Sequence, residues 1–495
     1  MSASRSRSVM LAVVATVGLG AAAGCERGAR SLPGHSRPIL EHHWVDPDAL
    51  ELGGSTFRPP DPARATFLAS SGVRAYIVAE PRDPLVRVTA ALSLGRLHER
   101  AGEAGASALL VQLLSARGAA GATRPLSLRL ADLGAGLNVL ETLDATTISL
   151  EVLPEDWREA LDLMLELLRD PDLDAASIRR YRAGAGYAMP MAGIGGAGFR
   201  PKVELERLVA GYPLAPPEPG TAVSLEAVRT LAARSLAADR VVLGVGGSVA
   251  RDSVEMAIES ATEGWARAGS TSPSPATIEP RATPKRFHTI DAPSLEGWIA
   301  IGRAVGPVPE ADRPALAALR FILAERLNVA VRELRGLANR DDFEIPITGS
   351  GSGLMTVRTG GRAEAVAPLV RYSLEQIERL HDGAEPVTER EVRRAQGWLV
   401  SAVWQRSLES ATSASATFAL EALRRGSTER LLAWPEAVQA VTVDDVMASA
   451  RRYLDPAELV TVVVGPLATI REARHPRWPV SLDELAAAQP GDSTT

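Results

Sequence analysis

The residues best suited to metal or nucleophile chemistry in this 495-residue chain are seven histidines and one cysteine, and their spacing assembles no catalytic motif. A catalytic zinc needs three protein ligands, an open coordination position and a general base. The compact strings that deliver these from a helix are H-x-x-E-H and H-E-x-x-H, and neither occurs. His98-Glu99 has no second His at i+4 and reads as a loop pair or a pair leading into a helix; His288, His381 and His475 are isolated. His42 and His43 are adjacent and could bind a metal, but a solvated pair is the commoner role. Two glycine-rich strings look chemical and are not. Gly193, Gly195 and Gly198 fit G-x-G-x-x-G, yet they follow Pro190 rather than a strand, so the βαβ setting of a dinucleotide site is missing. Gly349–Gly353 has no Ser at the centre of G-x-S-x-G and reads as a flexible turn between strands.

Composition bounds the scaffold that must position any such groups. The chain is 46% hydrophobic and 23% charged, with a formal net charge of -6. Its length suits roughly two to four domains of about 100–200 residues. No dense basic stripe with interleaved aromatics occurs, which argues against a nucleic-acid partner. Aromatics make up 4%, and the apolar content is mostly Ala, Leu and Val, as in helix-rich packing with small side chains.

Strands and amphipathic helices alternate along the body. Gly105–Leu113 opens an amphipathic helix. Val86–Leu94 alternates and starts β-branched, as a strand does; Leu137–Leu143 and Thr146–Leu153 read as two further strands, with Asp144 near their turn. Pro154–Trp157 opens a helix whose Trp157, Leu161, Met164 and Leu168 share a face, and Pro171 stops it. A repeat is visible directly. Ser224 starts a helix to Leu236, followed by strand Val241–Val245 and Gly247; Thr442 starts a helix to Leu454, followed by strand Leu459–Val463 and Gly465. Matched positions lie about 218 residues apart. Ser224 and Thr442 are good N-caps with acidic residues in the first turn. Two copies imply two similar halves rather than a solenoid. The expected fold class is α+β: two duplicated halves, each with helices packed on one face of a mainly antiparallel sheet. The expected boundaries are 61–268 and 286–470 for the halves, 269–285 for a Ser/Pro-rich linker, and 471–495 for a tail ending in a polar, frayed Pro490–Thr495.

The N-terminus reads as a targeting segment. Arg5 and Arg7 precede the apolar run Val9–Ala23, too short for a membrane span. Ala21-Ala22-Ala23-Gly24-Cys25 then resembles a bacterial lipoprotein signal with Cys25 as the lipidated residue, giving 1–25 as signal and 26–60 as a Pro-rich tether. Ala22 stands where Leu is usual, and ordinary signal cleavage is the alternative. Multiple acylation of Cys25 would anchor the chain stably. The expected location is the periplasmic face of the membrane, with the outer membrane favoured by Glu26 in place of Asp. A single cysteine permits no internal disulfide.

Element order and two motifs resemble the pitrilysin/insulinase family, the inverzincins. Gly134–Asn138 followed by Leu143–Thr147 resembles that family's G-G-x-L-N-A-x-T-x-x-D-x-T segment, and Val331–Asn339 resembles L-R-E-x-R-G-L-A-Y. Laid on the family's H-x-x-E-H helix, the histidine positions hold Ala108 and Gln112, and the base position holds Val111. The family's third ligand is a downstream Glu, but Ser177–Val203 contains no Asp or Glu; Tyr187–Pro190 occupies that neighbourhood. Loss of the general base alone typically costs about 10²–10⁴ in rate.

The resemblance therefore implies a pseudo-metallopeptidase with no catalytic or metal-binding residues and no cofactor of its own. Zinc is expected only in a partner subunit. It also implies a peptide site: family members add an extended peptide to a sheet edge, here Gly136, Leu137, Asn138 and Val139, extending to Glu141. Arg332 matches a family Arg that reaches the substrate, while the family's Tyr position is Asn339, too short to reach in the same way. The implied partner is a zinc-bearing homologue in a heterodimer, or a second copy, with peptides confined between the two chains. Helices such as Pro314–Leu323 could supply the partner-facing surface. The alternatives are a structural or assembly protein with the peptidase fold, and an active metallopeptidase with a displaced metal site.

Overall fold

The computed structural model describes residues 57–117, 119–176, 179, 198–215, 217, 223–269, 275–281, 283–338, 341–346, 348–349 and 351–488. The signal with Cys25, residues 26–56 of the tether with His42 and His43, the glycines 193 and 195, Tyr187–Pro190, Asn339 and the last residues lie outside these.

Two sheets organise the body. The first contains β1 (Thr66–Leu68), β2 (Arg74–Ala79), β3 (Val86–Leu92), β4 (Leu137–Glu141), β5 (Thr146–Val152) and β6 (Val241–Gly247). Its order is β1-β2-β6-β3-β5-β4. The second contains β7 (Phe287–Asp291), β8 (Gly297–Val305), β9 (Asp341–Glu344), β10 (Gly353–Gly361) and β11 (Val460–Gly465), in the order β7-β11-β8-β10-β9. With β1 set aside, the orders coincide strand for strand. In each sheet the last strand in sequence runs parallel to the first and antiparallel to the second. The expected α+β class with two duplicated, mainly antiparallel units is what the chain adopts.

Nine helices matter below: α1 (Ala106–Arg117), α2 (Trp157–Arg169), α3 (Arg200–Val209), α4 (Leu225–Ser235), α5 (Arg313–Leu327), α6 (Ala363–His381), α7 (Ala411–Arg425), α8 (Glu429–Gln439) and α9 (Val443–Tyr453). The repeat seen in sequence holds at the level of caps. Ser224 Oγ accepts from Ala227 N at 3.0 Å to start α4, and Thr442 forms a full capping box with Asp445 to start α9. Their C-caps, Leu236 and Leu454, keep the same offset.

The sheets are covered on both faces, not one. On the first sheet, Val88, Ile148 and Leu243 bury against Leu110, Leu161 and Leu231 of α1, α2 and α4. On the second sheet, Ile301, Val357 and Val463 bury against Leu319, Ile322 and Val370 of α5 and α6. The opposite faces are covered crosswise. Helix α7, late in the chain, packs on β2, β3 and β6, with Phe418 against Tyr76 at 5.8 Å between ring centroids. Helix α3, early in the chain, packs on β8 and β11, where Leu205 and Val209 meet Ala300, Val462 and Val464. The central strands show why both faces need cover: every residue of β6 and β11 is buried. The small residues Gly244 and Gly246 read as weak strand formers, but they are the surface that α7 approaches. A Cβ at Gly244 would lie 2.5 Å from the Ser415 carbonyl oxygen, and one at Gly246 would overlap the carbonyl of Ala411.

Two further expectations change. Pro314, Leu316, Leu319, Ile322 and Leu323 are buried, so this side of α5 belongs to the core. The turn at Gly349–Gly353 is tied rather than loose: Thr348 N and Oγ1 both donate to Ser352 O, and Val308 N donates to Gly351 O. Beyond residue 470, Val480 and Leu482 are buried in the second core, and Trp478 packs edge-on to Tyr372. Among the described residues no helix is long and apolar enough to cross a membrane.

Candidate functional site

Helix α1 packs against β4 and carries the positions where the resemblance places a metal motif. Most of α1 is buried: Leu109, Leu110, Val111, Leu113 and Leu114 all face the core. Its exposed stripe is Ala108, Gln112 and Ala116, spaced i, i+4, i+8 on one face. The helix is therefore amphipathic in burial but hardly in chemistry, because two of three exposed residues are alanine. Ala108 and Gln112 stand where two imidazoles could share a ligand. Val111, 6% exposed, is turned inward.

The start of α1 is held by Glu99. Its buried carboxylate accepts from Gly105 N at 3.1 Å, Ser107 N at 2.7 Å and Ser107 Oγ at 2.6 Å, and the Tyr212 hydroxyl donates to it closely. An anion capping the N-terminal N–H groups satisfies donors that the helix leaves orphaned. Burial, together with the bond to Glu99, pushes the Tyr212 phenol well above its ordinary range. His98 is buried as well, with Nε2 2.8 Å from the Asp144 carbonyl, and burial lowers its pKa, keeping the ring neutral. The pair thus builds the approach to α1, one of its two sequence readings. Burial alone would raise the carboxyl of Glu103, but Arg234, paired at 2.6 Å, and the Arg100 N–H outweigh it and hold it low.

Strand β4 is the sheet edge. Gly136, Asn138, Leu140 and Glu141 are exposed, while Leu137 and Val139 are half-buried on the core side. Nothing lies within 4 Å of a Cβ placed on Gly136. The hairpin fixes which backbone groups are open. Thr142 N donates to Ala145 O at 2.8 Å, so this pair is hydrogen-bonded across the turn. Alternation along an antiparallel pair then directs the groups of Leu140 and Asn138 at β5, and those of Glu141, Val139 and Leu137 outward. Three residues thus offer both N–H and C=O to an added strand.

Charged groups gather beside this edge. Arg96 lies 3.8 Å from Glu206 of α3. Glu206 is 6% exposed, and burial drives its carboxyl up to about 7 against the pull of Arg96 and Lys202. Glu141 keeps water contact, yet loss of surrounding solvent raises its carboxyl, with Arg96 opposing and Glu99 adding to the rise. Neither Arg96 nor Glu206 carried a motif signal in sequence; only the fold brings them together. A second tie spans the sheets: Asp144 Oδ1 accepts from Arg424 at 2.9 Å, and Asp144 Oδ2 accepts from Gly349 N at 2.7 Å. Arg332 is exposed in a π-helical turn (Asn328–Glu333) and faces Glu333 at 3.6 Å, not a group of the first sheet.

These residues do not fit a catalytic zinc. Ala108 and Val111 have no donor atom, Gln112 offers one neutral amide, Glu99 is saturated by four donors, and the Nε2 of His98 is engaged by a carbonyl. What the arrangement supplies is an open β edge flanked by a donor-poor helix face.

Residues 222–397 match the family model described as the peptidase M16 inactive domain. Solved structures of the same fold include a peptidase M16 inactive-domain protein from Pseudomonas fluorescens, 20% identical with a TM-score of 0.67, covering 84% of this chain and 99% of that one. By the family-model match, residues 222–397 carry a domain of the pitrilysin/insulinase (M16) family. Within that family fold it is also similar to a protease from Helicobacter pylori, 16% identical with a TM-score of 0.69 over 81% of this chain and 99% of that one. A chain of complex III2 from Candida albicans is 16% identical, with a TM-score of 0.62 over 82% and 96%. No curated protein matches the sequence. The residues matched by the family model do not include Ala108, Val111 and Gln112.

Proposed function

We propose that this chain is an exported, membrane-tethered, non-catalytic member of the pitrilysin/insulinase family that pairs with a zinc-bearing homologue and helps bind and confine extended peptides. One observation carries the reading: an open edge strand, with three outward-facing residues, beside a helix face poor in metal donors. Backbone addition needs no particular side chain on the peptide, so affinity survives loss of the chemistry. Cys25, lipidated behind the signal segment, would hold the protein on the periplasmic face of the membrane. A second copy in place of the homologue would give a chamber wall without a catalyst.

A structural or assembly role is the second reading, favoured by the likeness to a chain of complex III2. Co-purification with the H-x-x-E-H homologue of the same genome separates the two. Peptide cleavage by the mixture but not by this chain, with at least tenfold weaker peptide binding in Val139→Pro, supports the first. Proline there removes an outward N–H without touching the ladder to β5. A stable complex that neither binds peptide nor recruits a peptidase sinks the first reading and leaves the second.

A further inference from the structure

We propose that a cavity at the start of α5, separate from the β4 edge, binds an apolar ligand through a carboxylate, as the free C-terminus of a peptide ending in a large apolar residue would present. The cavity is about 470 Å³, within the range of roughly 300–1,000 Å³ typical of small-molecule sites. Its walls come from the residues leading into α5, the π-helical stretch Trp398–Gln405, the end of α7 and the first turns of α8. Pro314, Val403, Trp404 and Trp434 provide the apolar lining. Trp404 is fixed in place, because its indole N–H donates to Leu431 O at 2.7 Å. Consecutive π-type turns are uncommon and often accompany functional sites.

The rim carries the charge. Arg313, Arg425 and Arg430 converge on one carboxylate, Glu310, at 2.8, 2.9 and 2.6 Å, and Arg425 also pairs with Glu421 at 2.8 Å. Three guanidiniums therefore face two carboxylates. Burial raises the carboxyl of Glu421 despite its three arginine neighbours. Arg313 is only 11% exposed, and its Nε and Nη1 are buried without a hydrogen-bond partner among the described residues. Those two donors are closed to solvent, so Arg313 acts by charge from behind. Arg425 and the half-exposed Arg430 are the groups a carboxylate would meet. A guanidinium at the mouth of an aromatic-lined cavity selects for an anion with an apolar body: the carboxylate relieves like-charge crowding, and the body buries against the two tryptophans.

Calorimetry on the full chain tests this with N-acetyl-leucyl-phenylalanine as the free acid, its C-terminal amide, and octanoate. The acid should bind at least tenfold more tightly than the amide. Arg430→Gln should weaken the acid at least fivefold, and Ala433→Trp, which fills the mouth from an exposed position, should abolish binding with the far-UV spectrum unchanged. Octanoate weaker than the dipeptide assigns the site to a peptide terminus; octanoate as tight or tighter assigns the same carboxylate chemistry to a fatty acid. Equal affinity for acid and amide, insensitivity to both variants, or no binding of either acid at millimolar concentration overturns the proposal. None of these readings depends on the partner or on the β4 edge.

Discussion

At the residue scale, the decisive chemistry is what three side chains on α1 cannot do. Their poverty as ligands was legible in sequence, because alanine, valine and glutamine can be named as poor ligands without coordinates. The structure adds that Ala108 and Gln112 are exposed one turn apart on one face, while Val111 is not. Ala108→His with Gln112→His should therefore create an i, i+4 histidine pair that binds zinc, readable by calorimetry, without restoring hydrolysis, since no base returns with it. Failure of the double variant to bind zinc while remaining folded would mean that the two positions do not share an accessible face. Glu206 gives a second, independent prediction. Its folded pKa of about 7 lies above the ordinary 4.5. Between those values the folded state holds more protons than the unfolded state, so stability falls as pH rises through that window and levels off above it. The effect is at most on the order of 3 kcal/mol. Urea unfolding at pH 5 and pH 7.5 should show this loss in the wild type and a flatter profile in Glu206→Gln. Nothing in sequence marked Glu206, because its partner Arg96 lies more than a hundred residues away on another element.

At the element scale, the repeat was readable because N-cap, helix length and strand recur at one offset, and each is a local signal. The cover on the second face of each sheet was not readable. Periodicity reports that a strand has an apolar face, but not which distant helix lies on it, and glycines in β6 carry no hydrophobic signal at all. They matter through what they omit. With a backbone carbonyl of α7 set directly over Gly246, an added methyl must displace α7 or bend β6. Gly246→Ala should lower stability by about 1–3 kcal/mol, the usual range for overpacking, measured as a drop in Tm. The same change at Gly136, where the space is open, should cost far less. Equal effects at the two sites would show that close packing of α7 does not set the requirement for glycine in β6.

At the scale of the whole molecule, the crossed helices bind the two sheets into one folding unit. Helix α3 precedes the linker yet completes the second sheet, and α7 belongs to the later segment yet completes the first. A piece ending near residue 268 would expose the face that α7 covers on β2, β3 and β6, and would leave the apolar side of α3 without its sheet. Neither piece should fold stably alone; both should be soluble when produced together. A protease site placed within residues 270–274 gives the sharper experiment, because it cuts the chain after folding. The nicked protein should stay associated through gel filtration, since the crossed helices and the Asp144–Arg424 pair do not run through the linker. Asp144 is 3% exposed in its side chain, so removing its cationic partner leaves a buried carboxylate with only Thr142 and Gly349 as donors. Arg424→Ala should therefore cost roughly 3–5 kcal/mol in the intact chain, as other broken buried pairs do. In the nicked protein the same variant should promote dissociation, where the tether no longer holds the pieces at high local concentration. Dissociation of the nicked wild type at micromolar concentration would instead show that covalent continuity, and not exchange of helices, keeps the sheets together.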